Sequence, residues 1–66
     1  MQIHVNGEPK EIADQATLLD LIESLGLAGR RIAVELNMDI VPRSEHPAVQ
    51  LKEGDELEIV HAIGGG

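Results

Sequence analysis

Residues 2–13 read QIHVNGEPKEIA and predict a β-hairpin, the element from which the rest of the fold follows. Apolar and polar residues alternate in the first half, which is the period of a half-buried strand. Asn6-Gly7 is a strong signal for a two-residue turn, because both residue types accept a positive φ. Pro9 has no amide proton for a ladder, so the returning strand is expected at the edge of a sheet.

Residues 17–26, TLLDLIESLG, predict an amphipathic α-helix after the hairpin. Thr17 and Asp20 have the spacing of a variant capping box, and Asp20 suits the positive end of the helix dipole. Gly26 is suited to end the helix in a left-handed conformation. The apolar residues have the spacing i, i+3, i+4 and i+7 and form one stripe: Leu18, Leu21, Ile22 and Leu25.

Three later segments predict strands, namely RRIAVEL at 30–36, IV at 40–41 and ELEIVHA at 56–62. The first and last of these alternate: Ile32, Val34 and Leu36 share one face of their strand, and Leu57 and Ile59 face the opposite way from Glu58 and Val60. Residues 37–39, NMD, predict a turn. Residues 43–48, RSEHPA, are polar and irregular, with at most one helical turn.

The order of hairpin, helix and later strands predicts an α+β fold, with one main helix on one face of a mixed sheet of four to five strands. It suggests the β-grasp (ubiquitin-like) roll, in which the last strand is central and parallel to the first. We expect a β-grasp domain over residues 1–62 and a flexible C-terminal glycine tail over 63–66.

The composition excludes several kinds of chemistry and several classes of partner. The chain of 66 residues has a net charge of -7, no cysteine and no aromatic residue. Disulfides, thiol nucleophiles and base stacking are thereby excluded, and anionic nucleic acid or membrane surfaces would repel the chain. A positively charged protein partner would attract it. The N-terminus has no signal-peptide pattern, and we expect a cytoplasmic protein that does not span a membrane.

The usual signatures of catalysis or metal binding do not occur in the sequence. His4 and His61 would be neighbours if the first and last strands pair, but two imidazoles alone make a weak site, so no metal is predicted. His46 is placed in the polar loop without a role. Residues 53–58, EGDELE, are interpreted as a solvated run of charge that stabilises a turn, because nothing nearby would desolvate them.

Three glycines, Gly64 to Gly66, form the last residues of the sequence. A terminal carboxylate is ionised at neutral pH and is a poor electrophile until another protein activates it. Glycines have no side chain to obstruct a narrow channel and accept unusual backbone angles. The residues alone therefore leave two interpretations: a substrate arm that enters a partner's active site, or a passive end.

Three motifs, in this order, add a resemblance: VNGEP at 5–9, AVELNMDIVPRSEH at 33–46 and LKEGDELEIVHAIGGG at 51–66. With them the chain resembles the ThiS family of sulfur carriers in thiamin biosynthesis, over essentially its whole length. The resemblance implies a protein cosubstrate and not an enzyme. An E1-like, ThiF-type enzyme would use ATP to adenylate the carboxylate of Gly66, and no cofactor would be bound permanently.

The resemblance further implies that a persulfide donor turns this adenylate into a thiocarboxylate, whose sulfur a ThiG-type thiazole synthase uses. Ile63, Gly64 and Gly65 would enter the partner with Gly66. Two alternatives stay open: a sulfur carrier for molybdopterin synthesis or tRNA thiolation, and a non-covalent β-grasp interaction module with a passive tail. The residues VHAI before the glycines favour the thiamin branch.

Strand alternation suggests where such a partner would hold the domain. If Leu57 and Ile59 face the helix, Val60 and Ala62 face away from it, and Ala33 joins them on the neighbouring strand. An exposed apolar patch near the tail is a candidate docking surface. We call Ala33, Val60 and Ala62 the docking patch. Arg43, in the polar loop, is interpreted as part of a solvated turn, with docking as the alternative.

Overall fold

The computed structural model describes residues 1–62 as a five-stranded mixed sheet with one α-helix on one face. The order across the sheet is β2-β1-β5-β3-β4, and β1 and β5 run parallel in its centre. This arrangement confirms the predicted α+β fold of the β-grasp type. The elements are β1 (Gln2–Val5), β2 (Glu8–Glu11), α1 (Leu18–Ser24), β3 (Ile32–Leu36), β4 (Asp39–Ile40), a 3-10 helix (Arg43–Ala48) and β5 (Glu56–His61).

The hairpin forms as predicted, since β1 and β2 pair in antiparallel fashion around Asn6 and Gly7. Both turn residues have a positive φ, of 52° and 85°. Gly7 accepts this conformation without the steric penalty that a Cβ would bring. Pro9 is on β2, opposite His4 on β1. Because β2 is an edge strand, the missing amide proton of Pro9 does not interrupt the hydrogen bonding of the sheet.

Both ends of α1 are closed by the residues that the sequence indicates. Thr17 is the N-cap: its Oγ1 accepts a hydrogen bond from the Asp20 amide at 3.1 Å, and the Asp20 carboxylate accepts one from the Thr17 amide at 2.9 Å. At the other end, Gly26 has a φ of 73°. The Gly26 amide donates to the Glu23 carbonyl, and the Leu27 amide donates to the Ile22 carbonyl. These two bonds form a Schellman motif.

The core lies between α1 and the inner face of the sheet. Its helix residues are those of the predicted stripe, apart from Leu25, which is half-buried at the C-cap. On β3 and β5 the core residues come from one of the two alternating faces that the sequence defines, and the structure turns this face towards α1. The buried cluster consists of Ile3, Leu18, Leu21, Ile22, Val34, Leu51, Leu57 and Ile59.

Two asparagines in turns form side-chain hydrogen bonds to β5, one from each side of the strand. The Asn6 side chain accepts a hydrogen bond from the Ile59 amide at 2.8 Å and donates one to the Ile59 carbonyl at 3.2 Å. The Asn37 side chain, in the β3–β4 turn, accepts from the Glu56 amide at 3.0 Å and donates to Asp55 Oδ1 at 3.0 Å. Each side-chain amide thus bonds to the backbone of β5 as a peptide group of a neighbouring strand would. Asn6 in this way extends the hydrogen bonding of β5 past the end of β1, and Asn37 past the end of β3.

The polar segment before β5 is more ordered than the sequence indicates. Residues 43–48 form the 3-10 helix, which contacts α1. His46, for which no role was expected, is buried, and its Nε2 lies 3.1 Å from the Val41 carbonyl. Leu51 belongs to the core, and its amide donates to the Ala16 carbonyl. The segment therefore closes one side of the core.

Residues 53–58 were predicted to be solvated and to stabilise the turn; for Asp55 the first part of this prediction is wrong and the second is confirmed. The Asp55 side chain is buried and accepts hydrogen bonds from the Lys52 amide at 2.8 Å and from Asn37 Nδ2 at 3.0 Å. Glu53, Glu56 and Glu58 are exposed, as predicted. Asp55 thus stabilises the turn before β5, and its partner Asn37 is 18 residues away, which a local pattern cannot reveal.

Within residues 1–62, no helix is long and apolar enough to cross a membrane.

The role of Asn6 can be tested by two substitutions at one position. Asn6→Gly keeps the positive φ but removes both hydrogen bonds to Ile59, so we expect a loss of about 2 kcal/mol in the free energy of unfolding. Asn6→Ala removes the same bonds and keeps a Cβ at positive φ without the amide that helps asparagine adopt this conformation, so it should cost about 1 kcal/mol more than Asn6→Gly. Urea unfolding measures both values. Equal stability of Asn6→Gly and the wild-type protein would contradict the proposed role of the amide.

Candidate functional site

The outer face of the sheet, opposite α1, carries the predicted docking patch. Ala33 on β3 and Val60 on β5 are directly opposite each other in the ladder, and both are exposed. Ala62 follows β5, is also exposed, and its amide donates to the Arg31 carbonyl at 2.9 Å. The three residues therefore lie together where the described part of the chain ends. Their role in docking stays a prediction.

The residues predicted to react or to enter a partner, Ile63, Gly64, Gly65 and Gly66, lie outside the described residues. What the structure does show is how the chain reaches them. β5 pairs with β1 on one side and with β3 on the other, and the β3 ladder continues through His61 to the Ala62 amide. A central strand thus fixes the point from which the last four residues depart.

The expectation that His4 and His61 are neighbours is wrong. His4 is paired with Glu56, the first residue of β5, whereas His61 is the last residue of that strand and lies opposite Ile32. The two positions are five residues apart along the strand, which is about 16 Å. Among residues 1–62, no group of three or more His, Cys, Asp or Glu side chains is placed to hold a metal ion.

The exposed apolar surface extends further than the docking patch. Ile40 lies opposite Glu35 in the β3–β4 ladder and is therefore on the outer face, and Met38 projects from the turn between these strands. Both side chains are exposed, and Met38 and Val60 line the same shallow depression. Sequence reasoning placed Glu35 on the same face as Ala33 but missed Met38 and Ile40, because the position of Ile40 depends on the β3–β4 register and that of Met38 on the turn.

Acidic side chains lie beside this apolar surface. Glu58 on β5 is directly opposite Glu35 on β3, and both are exposed. Glu56, two residues before Glu58 on β5, is exposed on the same face. Like charges directly opposite each other in an antiparallel ladder destabilise a sheet. The outer face therefore combines apolar and acidic groups, an arrangement suited to recognition of another molecule.

Arg43 has a structural contact. Its Nη2 donates a hydrogen bond to the Arg30 carbonyl at 3.0 Å, which joins the 3-10 helix to the loop before β3. The side chain is exposed, as the interpretation of a solvated turn requires. Docking through Arg43 stays a prediction.

Comparisons with known proteins agree with this geometry. The model of the ThiS family matches residues 3–66. The chain is 47% identical over all its 66 residues to a thiazole synthase of Magnetococcus marinus, but it spans only 20% of that protein's length. It is 35% identical to the sulfur carrier protein ThiS of Bacillus subtilis, where the match covers 97% of this chain and 98% of the relative.

A solved structure has the same fold. The crystal structure of a thiamine biosynthesis protein (ThiS) from Geobacter metallireducens superposes with a TM-score of 0.86, at 32% sequence identity, and each chain is covered completely. Because a family model, a relative of nearly equal length and a solved structure all agree over the whole domain, the chain belongs to the ThiS family.

Proposed function

We propose that this chain is a sulfur carrier protein of thiamin biosynthesis, a cosubstrate and not an enzyme. The observation that carries the proposal is the ThiS family match, which extends through the three terminal glycines. The near full-length relative from Bacillus subtilis bears the name of a sulfur carrier. We place the process in the cytoplasm, where ATP is available for activation of the terminus.

The first step is the activation of Gly66. A carboxylate oxygen of Gly66 attacks the α-phosphate of ATP in an E1-like, ThiF-type adenylyltransferase, and pyrophosphate leaves. This step is needed because a terminal carboxyl group, with a pKa of about 3.3–3.7, is ionised at neutral pH and resists nucleophilic attack. The acyl-adenylate is transient, and ATP belongs to the activating enzyme.

The second step exchanges oxygen for sulfur. The outer sulfur of a persulfide donor attacks the carbonyl carbon of the adenylate, and AMP leaves. A second thiol then attacks the donor's own sulfur in the resulting acyl disulfide, forms a new disulfide with the donor, and releases the thiocarboxylate on Gly66. A thiocarboxylate is a better nucleophile than a carboxylate at neutral pH. A ThiG-type thiazole synthase then takes the sulfur, so the sulfur passes to a chosen partner and free sulfide is not released.

The composition of residues 63–66 suits both steps. Four residues span at most about 13–14 Å when fully extended, enough to reach into an active site from a domain that stays outside it. Gly64, Gly65 and Gly66 carry no side chain to obstruct a narrow channel. We assign Ile63, Gly64 and Gly65 to the segment that enters the partner and Gly66 to the site of attachment.

The docking patch is our candidate for the surface by which partners hold the domain. Ala33 and Val60 are exposed and paired within the sheet, and Ala62 is exposed at the end of the described residues. The partnership with a thiazole synthase is supported by relatives of that name, 47% and 42% identical to this chain, in which a segment of this length is part of a longer protein.

Loading of Gly66 is the direct test of the function. We expect the protein, mixed with ATP, a ThiF-type adenylyltransferase and a persulfide donor, to show by intact mass the replacement of one oxygen by sulfur. Removal of Gly66, or addition of one residue after it, should abolish the reaction. Loading of the extended chain would contradict attachment at Gly66. A passive-tail module would bind its partner equally well without its glycines.

The docking patch has its own test, in which Val60→Lys is compared with Ala48→Lys. A lysine at position 60 would have to be buried without a partner in the complex, so we expect the KM for loading to rise about tenfold. Ala48 is exposed on the 3-10 helix, which contacts α1, and its substitution should leave the KM unchanged. Thermal unfolding confirms that both variants are folded. An unchanged KM for Val60→Lys would remove the patch from the interface.

A further inference from the structure

The β3–β4 turn contains a residue that the fold itself does not favour. Asn37 and Met38 have φ values of 50° and 76°. The β1–β2 turn has the same geometry with the same first residue, but its second residue is Gly7, with a φ of 85°. A side chain at this position is strained, and glycine would be the residue expected from turn chemistry. Met38 therefore occupies this turn at a conformational cost.

Burial of the Met38 side chain in the domain does not offset the free energy of this strain. Met38 is 88% exposed, Ile40 is 73% exposed and Val60 is 55% exposed, and within residues 1–62 these are the three large hydrophobic side chains that stand out to solvent. Val60 and Ile40 belong to the outer face of the sheet, and Met38 lies in the turn at its edge, where it lines the same depression as Val60. Exposed apolar side chains therefore lie on both sides of the Glu35–Glu58 pair, from the docking patch to the tip of the β3–β4 turn.

The acidic side chains beside these apolar residues indicate the charge of the partner surface that would cover them. The facing carboxylates of Glu35 and Glu58 repel each other, and the one ion pair found within residues 1–62 joins Asp14 to the N-terminal ammonium group. A cationic side chain placed between the two glutamates would remove the repulsion and replace it with two attractive contacts. The net charge of -7 favours the approach of a basic surface from a distance.

We propose that Met38, Ile40, Glu35 and Glu58, here called the turn patch, form the part of the interface that selects the activating adenylyltransferase. The matching surface of that enzyme has an apolar pocket for Met38 and Ile40 and an arginine or lysine that lies between the two carboxylates. This proposal rests on the function proposed above, because it concerns the enzyme that adenylates Gly66.

The activating enzyme is favoured over the thiazole synthase by the relatives. In two thiazole synthases the matching segment is part of the same chain, so contact with the rest of that protein does not depend on an encounter in solution. An activating enzyme must be met as a separate molecule. Charged groups at an interface act mostly by raising the rate of such encounters.

Met38→Gly separates recognition from folding. The substitution relieves the strain at positive φ, so we expect the Tm to stay the same or to rise by a few degrees. With a ThiF-type adenylyltransferase that loads the wild-type chain, the KM should nevertheless rise about tenfold, because the anchoring side chain is lost. Met38→Leu keeps an apolar side chain and should restore most of the KM.

The two glutamates are tested by Glu35→Gln and Glu58→Gln, with Glu23→Gln on α1 as a control of equal charge change. Each of the first two variants should raise the KM about fivefold at low salt and make loading less sensitive to ionic strength. The control should behave as the wild-type protein, because Glu23 is exposed on the helix that packs against the opposite face of the sheet.

The results distinguish the two proposals. If the wild-type chain is loaded but Met38→Gly and Glu58→Gln leave the KM unchanged, the turn patch is not part of this interface, while the sulfur carrier function stands. An effect seen only in the later transfer of sulfur to a thiazole synthase would also overturn the assignment to the activating enzyme. A wild-type chain that no such enzyme loads would overturn both proposals.

Discussion

The rest of the structure depends on the pairing of β5 with a strand on each side. β1 runs parallel to it and β3 antiparallel, so the last strand of the chain becomes the centre of the sheet. The short contact with β1 covers only two residue pairs. The side chain of Asn6 extends this contact to Ile59, and Asn37 secures the beginning of β5 from the other side. The side-chain amides of Asn6 and Asn37 thus add hydrogen bonds to β5 at positions where the neighbouring strands have ended.

The helix covers one face of the sheet and leaves the other exposed, so the two faces have different roles. Leu57 and Ile59 face α1 and contribute to stability, whereas Glu58 and Val60, the residues that alternate with them, face outwards. The outer residues can therefore serve recognition without a loss of core packing. The same strand leads to the residues that we propose to carry sulfur, so one element connects the core, the recognition surface and the reactive end.

Local signals in the sequence were sufficient for most of the fold. The Asn6-Gly7 turn, the capping residue Thr17 and the alternation along β5 each act over a few residues, and each is found where it was predicted. His46 and Asp55 were missed because their burial depends on segments that are distant in the chain or irregular. The register of β1 against β5, which separates the two histidines, likewise depends on long-range pairing. For the site, alternation placed the docking patch on the outer face, but the strain at Met38 required backbone angles.

The parallel pairing of the first strand with the last has a consequence for synthesis of the protein in the cell. During translation the N-terminal hairpin and α1 leave the ribosome without the strand that covers their apolar side chains, and bringing together residues more than 50 positions apart requires the closure of a long loop. Folding must therefore wait until β5 has left the ribosome, and we expect the domain to form as one cooperative unit. A nascent chain that stops before His61 lacks the centre of its sheet. Such a truncated product would be open to proteolysis, so the surviving molecules are those that were translated through the final strand.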